Sequence, residues 1–420
     1  MNWPRMLSAF ESRNYRLFFA GQIISLMGTW MTQTASLWLV YHLSSSPLLL
    51  GAVGFASQAP IFVLAPLAGV MADRMNRHRL LIGTQVLSML QSFALAALAL
   101  TGHITPAWLI GLSFVQGAIN GVDLPTRQAL VVAFVAQREH LGNAIALNSS
   151  MFNLARLVGP AIGGFVVAAY GAGMCYVIDG ISYAAVILGL LAMRLNLPAR
   201  RMEARHPWTE LREGFSGVFA FRPMRELIIA LAVVSAVGFS YTVLTPMFAR
   251  DIFGGDARVL GYLMSASGIG ALLGAVYLGT RATIRGLGKV VALGSALMGA
   301  GLFGFGCSRV LPLSLLCLGV VGLGGVLTMA SSNTLVQSIV EEHQRGRWMS
   351  IFTMAFTGTM PLGNLLAGWI AGREGPSTTL IISSVICVSV GIVFYMRLPR
   401  LRADAAPVLA RVAPIEATPQ

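Results

Sequence analysis

Charge is scarce in this sequence. Only 11% of the 420 residues are Asp, Glu, Lys or Arg, whereas a typical soluble domain has about 25%. The chain has a single lysine, Lys289, and 28 arginines, and 56% of its residues are hydrophobic. This composition excludes an ordinary soluble enzyme and is typical of an α-helical protein with many membrane spans. The net charge of +13 does not indicate nucleic-acid binding, because the basic residues lie in short loops between apolar runs.

Several chemical motifs are also absent. The phosphate-binding pattern GxxxxGK[ST] is missing, since Lys289 lies in RGLGKV without the first Gly or the Ser/Thr, and this excludes an ATP-driven pump. HExxH is missing, and no two of the six histidines form a ligand pair. The four cysteines lie in apolar stretches without CxxC spacing, so we expect no disulfide and no metal site. The sequence therefore predicts a protein that is not an enzyme and has no cofactor.

Long apolar windows are what the chain has in place of these motifs. A membrane-spanning helix needs about 20 mostly apolar residues, and the sequence has twelve such windows, which predict an all-α membrane protein. The first six are 17–41, 48–71, 80–101, 106–134, 144–170 and 174–194. The second six are 226–249, 258–280, 288–308, 311–339, 348–371 and 377–397.

The longest polar stretch divides these windows into two sets of six. It contains six arginines between Arg200 and Arg225. The predicted organisation is a cytoplasmic N-terminus (1–16), an N-terminal six-helix bundle (17–194), a cytoplasmic linker (195–225), a C-terminal six-helix bundle (226–397) and a disordered cytoplasmic tail (398–420). The loops on the predicted outer side hold only four basic residues, so the positive-inside rule places both termini in the cytoplasm.

The two halves are similar to each other. LLGAVGFASQ at 49–58 resembles VLGYLMSASG at 259–268, an offset of 210. The same offset aligns Gly69 with Gly279 and Arg79 with Lys289. Repeats of six spans are a feature of many secondary transporters.

Two motifs carry a family resemblance that covers about residues 15–400. GVMADRMNRHR resembles the signature G-x-x-x-D-R-x-G-R-x-R of the major facilitator superfamily, with Asn76 in place of a Gly. GPAIGG in span five is similar to the exporter signature G-P-x-x-G-G of that family, and its small residues and Pro predict close helix approach and a bend. The matching residues are Gly69, Asp73, Arg74, Arg77 and Arg79 in the first motif, and Gly159, Pro160, Gly163 and Gly164 in the second.

The resemblance implies the major facilitator fold, with twelve helices in two pseudo-symmetric six-helix bundles. It also implies export of a small amphiphilic organic molecule by alternating access and proton antiport. Within the family the chain resembles the bacterial branch of drug and siderophore (enterobactin-type) exporters. A lipid or lysophospholipid flippase of the same fold is the alternative. The implied location is the plasma membrane of a bacterium, the inner membrane if it is Gram-negative, and the implied partners are the substrate, protons and the bilayer, with a monomeric protein.

Span four departs from the pattern of proton-driven relatives. Leu109, Gln116 and Gly117 fit l-x-x-x-R-x-x-q-G, but Ser113 stands at the arginine position. The proton must then be carried elsewhere, and Asp123 and Asp179 are the candidates.

Asp123 and Arg127 lie one helical turn apart on span four. In the hairpin of spans three and four, residues whose numbers sum to about 207 are level, so Asp123 lies opposite Thr84. This places both charges just above the 69–79 turn, and a gating cluster of Asp73, Arg77 and Asp123 is predicted. The alternative is that these charges simply reach headgroup water.

Arg156 lies roughly 18 Å into span five at 1.5 Å per residue, near the centre of the membrane. It is predicted to contact an anion or a substrate oxygen, or to form an interhelical clasp beside GPAIGG. Asp179 lies at the start of span six, and three alternative roles are predicted for it: it carries a proton, it reaches the outer interface, or it caps a bend. Scattered polar and aromatic residues are predicted to complete the substrate or proton pathway, namely Trp30, Gln33, Gln58, Asn148, Asn153, Tyr241 and Asn333.

Overall fold

The computed structural model describes the backbone of residues 5–135, 137–193, 215–281, 283–340 and 345–412. Within these ranges, the side chains of residues 5–6, 65–74, 138, 345–346 and 407–412 are not described. Every regular element in these ranges is a helix. Residues 195–214 of the predicted linker, and residues 413–420, lie outside the described part of the chain.

Six long helices form the first half of the chain. Their ends follow from local chemistry: Asn76 caps α3 by accepting hydrogen bonds from the backbone N–H groups of His78 and Arg79, and Thr105 caps α4 before Pro106. Gly171, at φ 84°, separates α5 from α6 in a backbone conformation that favours glycine. The bounds are α1 Arg13–Ser44, α2 Pro47–Arg74, α3 Arg77–Leu100, α4 Pro106–Phe134, α5 Leu141–Tyr170 and α6 Ala172–Leu191.

The second half continues in the same way, with one irregular helix. The seventh span runs from Arg222 to Ile252 and ends in a π-helical turn, Phe248–Ile252. The bounds are α7 Arg222–Gly238, α8 Tyr241–Met247, α9 Ala257–Gly279, α10 Leu287–Cys307, α11 Leu311–Ile339, α12 Arg345–Thr357 and α13 Thr359–Val412.

Ten helical stretches among the described residues are long and apolar enough to cross a membrane. The last, Arg347–Ala406, is divided by non-helical backbone at Gly375. The 32-residue helix α1 is not among the ten, because Gln, Ser and Thr interrupt its apolar sequence. Counting α1 and both sides of the Gly375 break gives the twelve passes that the sequence predicts.

Contacts between Cα atoms divide the chain into two compact units. The first contains residues 1–203 and 245–268, and the second contains residues 204–244 and 269–420. The end of the seventh span and the start of α9 therefore pack with the first half of the chain, which the linker at 195–225 does not predict. In the first unit, aromatic residues at one end pack together around Tyr15, Phe18 and Phe134. This end, with the α2–α3 turn, is called the terminal face, and the opposite end, with the α1–α2 turn, is called the far face.

The end of α13 differs from the predicted disordered tail. The helix continues to Val412, so residues 398–412 are helical. Leu398, Leu401 and Ala405 are buried and recur at the spacing of one helix face. Leu398 and Leu401 join the apolar core of the second unit, and this stabilises a helix that the Ala/Pro-rich composition alone does not predict.

Candidate transport site

Asp123 is held at its predicted position opposite Thr84. The Thr84 hydroxyl and the Gln85 amide donate to Asp123 Oδ1 at 2.8 and 2.7 Å. Arg127 Nη2 lies 2.9 Å from Asp123 Oδ2, and the Asp123 side chain is only 5% exposed. The carboxylate therefore has a charged partner and two further donors, and it ties α4 to α3.

The signature residues beside this cluster are described only in part. Gly69, Asp73 and Arg74 lie in α2, but their side chains are outside the described residues. Arg77 is half-buried at the start of α3, and Arg79 is exposed. The gating cluster of Asp73, Arg77 and Asp123 remains a prediction.

A half-buried arginine lies in the middle of α5 beside two aromatic rings. The rings of Trp30 and Phe152 meet edge to face, with centroids 5.8 Å apart, and Phe152 is one turn before Arg156 on the same face of α5. A Cβ atom at Gly159 would lie 2.5 Å from Trp30 Cβ, so this glycine lets the indole lie against α5. Arg156 has no hydrogen-bond or ion-pair partner among the side chains and backbone that the structure describes.

The other predicted pathway residues are less uniform. Asn148 accepts from the Tyr15 hydroxyl at 3.2 Å, and Asn153 donates to the Ser149 carbonyl at 2.9 Å. Gln33 and Gln58 are half-buried on α1 and α2. Two residues belong to the second unit: Tyr241 is buried, and Asn333 accepts from Gln337 at 3.1 Å.

The GPAIGG segment is a close-contact surface on α5. A Cβ atom at Gly163 would lie 2.9 Å from Met31 Cα on α1, and Gly164 lies directly against the Ala257 carbonyl at the start of α9. From the other side, a Cβ at Gly261 would lie 2.6 Å from the Pro160 carbonyl. Glycines here let three backbones approach more closely than larger residues permit. No residue of α5 has non-helical backbone angles, and the bend at Pro160 stays a prediction.

Asp179 is buried inside the first unit and does not reach the far face. The hydroxyls of Thr32 on α1 and Ser92 on α3 each donate to its Oδ2 at 2.9 Å. Its other oxygen, Oδ1, is buried without a hydrogen-bond partner among the described residues. No hydrogen bond or ion pair joins Asp179 to Arg156 among the described residues.

Sequence reasoning missed a polar clasp at the far face of the first unit, formed by Tyr41, Ser45, Arg250 and Asp251. The Tyr41 hydroxyl donates to the Asp251 carboxylate. Arg250 Nη1 donates to the Tyr41 carbonyl and to Ser45 Oγ, both at 3.2 Å. Arg250 and Asp251 belong to the π-helical turn, an element that is frequent at functional sites. Arg250 and Asp251 directly follow a long apolar run. Two opposite charges at the end of a span are the sequence feature that could have indicated this clasp.

The clasp is expected to hold the α9 segment against α1. Thr34 is fully buried, and its hydroxyl lies 3.6 Å from Met264 Sδ on α9, so a cysteine at position 34 reports their separation. The test uses a Thr34→Cys protein whose four native cysteines are replaced. In this protein Tyr41→Phe should speed maleimide labelling of the cysteine about fivefold, because loss of one hydrogen bond weakens the contact between α1 and α9 by about 1 kcal/mol. Tyr170→Phe, at an exposed tyrosine on the same face, is the control. Equal labelling of the two variants would show that the clasp does not hold this contact.

Comparison with known proteins identifies the family. A family model described as "Transmembrane secretion effector" matches residues 5–417. The staphyloferrin A transporter of Staphylococcus aureus is 26% identical over 381 residues, which cover 90% of this chain and 95% of that protein. The multidrug efflux pump Tap of Mycolicibacterium fortuitum is 27% identical over 390 residues, which cover 89% and 93%. The crystal structure of the nucleoside transporter NupG matches with a TM-score of 0.70 at 18% identity, covering 92% of this chain and 98% of that one, which shows the fold alone.

These matches agree with the helices and with the two sequence motifs. The prediction of a transporter rather than an enzyme is confirmed, as is the resemblance to drug and siderophore exporters of the major facilitator superfamily. The protein crosses the membrane many times. Because the family model spans almost the whole sequence, the chain belongs to the transmembrane secretion effector family of major facilitator transporters.

Proposed function

We propose that this protein exports a small amphiphilic organic molecule by alternating access, driven by exchange for protons, with its terminal face in the cytoplasm. The observation that carries the proposal is Arg156, a mid-membrane arginine that has no partner among the described residues and lies beside an aromatic pair. A charged group in a membrane segment is costly unless water, protein or ligand neutralises it. In a transporter, the bound substrate can supply the group that neutralises this arginine.

The residues at this site indicate which chemical groups the substrate carries. The Trp30 and Phe152 rings offer apolar faces, and Arg156 offers up to five donors in a planar fork that suits a carboxylate or another oxygen acid. The substrate class is therefore an amphiphile with an apolar part and a negatively charged or oxygen-rich group. The staphyloferrin A transporter among the relatives supports a siderophore-like compound over a purely cationic drug.

Arg156→Gln tests this assignment. A hydrogen bond to a charged group contributes about 1.5–3 kcal/mol, so the variant should bind anionic amphiphiles roughly 10- to 100-fold more weakly. Binding to purified protein is measured with staphyloferrin A, the anionic aromatic dye 8-anilinonaphthalene-1-sulfonate and the cationic dye ethidium. Ethidium affinity should fall little or not at all.

The control for Arg156→Gln is Arg16→Gln, at an exposed position near the start of α1. Equal loss of anion binding in both variants would overturn the role of Arg156. Vesicles that hold the protein and a fluorescent lysophospholipid complete the experiment. Movement of the lipid without movement of the three soluble probes would identify a flippase and overturn export of a soluble amphiphile.

A further inference from the structure

We infer that Asp179 is the residue that takes up and releases the coupling proton, and that Asp123 instead forms a permanent contact between α3 and α4. This inference rests on the proton exchange proposed above and assigns it to one carboxyl group. The two candidates differ in whether a fixed positive charge pairs with the carboxyl group: Arg127 pairs with Asp123, and no described basic residue pairs with Asp179.

Asp179 lies where three helices of the first unit meet. Its side chain belongs to α6, its two hydroxyl partners come from α1 and α3, and the residue is only 2% exposed. Gly28 of α1 faces the other oxygen, and a Cβ there would lie 2.6 Å from Asp179 Oδ1. This glycine leaves room for the carboxyl group beside α1.

The groups around Asp179 are neutral. Helix α6 itself contributes the Cys175 thiol and the Tyr183 phenol as titratable neighbours. Helix α1 contributes the Thr32 hydroxyl and α3 contributes the Ser92 hydroxyl. Helix α5 reaches this region through the Gly163 carbonyl, which accepts from the Cys175 thiol at 3.6 Å. None of the described arginines or histidines, nor Lys289, forms an ion pair with Asp179, so no fixed positive charge holds it ionised.

Hydroxyl partners suit a carboxyl group that changes its protonation state. A hydroxyl donates one hydrogen bond and also accepts. When Asp179 is ionised, Thr32 and Ser92 donate to Oδ2, as the structure shows. When a proton from water adds to Oδ2, the new O–H donates and one hydroxyl turns to accept, and the reverse movement returns the proton to water. Both states of the carboxyl therefore keep a hydrogen bond.

One partner of Asp123, the Arg127 guanidinium, does not allow this reversal. Arg127, which lies 2.9 Å from Oδ2, can only donate and is permanently charged, while the Thr84 hydroxyl and the Gln85 amide donate to Oδ1. Loss of the negative charge would leave the Arg127 guanidinium uncompensated in the bundle. This arrangement suits a permanent contact between α3 and α4.

Helix α1 links the proton site to the substrate site. Thr32 donates to Asp179, and Trp30, two residues earlier, contacts Phe152 beside Arg156. A change in the Thr32 hydrogen bond is therefore felt by the helix that forms one wall of the substrate site.

An infrared experiment tests the site without any substrate. At pH 6 exposed carboxyls, with a pKa of about 4, are ionised, so a protonated-carboxyl band reports an unusual group. We expect the band in the wild-type minus Asp179→Asn difference spectrum and not in the wild-type minus Asp123→Asn spectrum. A band in the second spectrum, with or without one in the first, or a band in neither, would overturn the inference. If Asp179→Asn does not fold, Ser92→Ala and Thr32→Val should shift the pH midpoint of the band, and unchanged midpoints would also overturn it.

Transport separates this inference from the proposed function. In vesicles with an imposed pH gradient, the wild type should accumulate 8-anilinonaphthalene-1-sulfonate or staphyloferrin A, and Asp179→Asn should only equilibrate it. Ser36→Ala is the control, since its hydroxyl pairs with Tyr176 on the same helices, 3.1 Å away. If the wild type does not respond to the gradient, proton exchange itself is wrong. If the wild type and Asp179→Asn respond equally, only the assignment to Asp179 is wrong.

Discussion

Leucine at position 164 is expected to reduce transport to the background of empty vesicles. Gly164 lies directly against the Ala257 carbonyl, and a Cβ there would also lie 3.0 Å from Gly261 Cα. Both neighbours are backbone atoms, which cannot turn aside as a side chain can. Overfilling a packed contact costs about 1–3 kcal/mol, and a four-carbon side chain at this contact should reach the upper end. The leucine should therefore prevent α9 from packing on α5, and the transport cycle should stop because this contact cannot form.

The matched control is Gly142→Leu. Gly142 belongs to the same helix, and a Cβ there would meet no atom within 4 Å, so the substitution changes helix propensity but not packing. Membrane expression and monodispersity in detergent are compared first, and uptake of the probes by everted vesicles is compared second. A free-energy change of about 1 kcal/mol changes a rate about fivefold. If the uptake rates of Gly164→Leu and Gly142→Leu differ by less than about twofold, the close contact is dispensable.

Removal of the Asp123 carboxylate is expected to have the second large effect. Asp123→Ala leaves the Arg127 guanidinium, which is 18% exposed, without its charged partner in the bundle. Loss of one partner of a buried ion pair costs about 3–5 kcal/mol, and the partial exposure of Arg127 favours the lower value. The variant should show a lower thermal midpoint of unfolding and little transport.

A second substitution separates the charge from the packing. The double variant Asp123→Ala/Arg127→Ala no longer has the uncompensated charge. It should therefore regain about half or more of the stability that Asp123→Ala loses, because the effects of interacting neighbours are not additive. Asp256→Ala is the surface control. Asp256 pairs with Arg258 at 2.8 Å, and this guanidinium lowers the pKa of the Asp256 carboxyl, but exposed pairs contribute only about 0–1 kcal/mol. Equal thermal midpoints for Asp123→Ala and Asp256→Ala would mean that the buried pair is no stronger than the exposed one.

Local rules were enough to predict much of the first unit. Because spans three and four are joined by a short turn, counting residues from it placed Asp123 level with Thr84, and the two side chains are hydrogen-bonded. Asn76 stands in the α2–α3 turn where the family signature has a glycine, and the structure shows that its side chain caps α3. Such inferences succeed because they depend only on helix rise and on neighbouring residues.

Contacts between distant segments could not be predicted in this way. The Tyr41–Asp251 bond joins residues 210 positions apart, and the Thr32–Asp179 bond joins residues 147 apart. Each depends on the rotation of a whole helix about its axis, and a turn of one residue, about 100°, would point the side chain elsewhere. The sequence therefore identified Asp179 as unusual but left open whether it carried a proton, reached the interface or capped a bend.

The length of the last helix has a practical consequence. The 37 residues from Pro376 to Val412 span about 56 Å, whereas the hydrocarbon core of a bilayer is about 30 Å thick. Roughly 25 Å of helix therefore projects beyond the core, anchored by Leu398 and Leu401 in the second unit. A donor dye on this arm and an acceptor dye at Met75, exposed in the α2–α3 turn, would show in single molecules whether the distance between the two dyes changes during turnover.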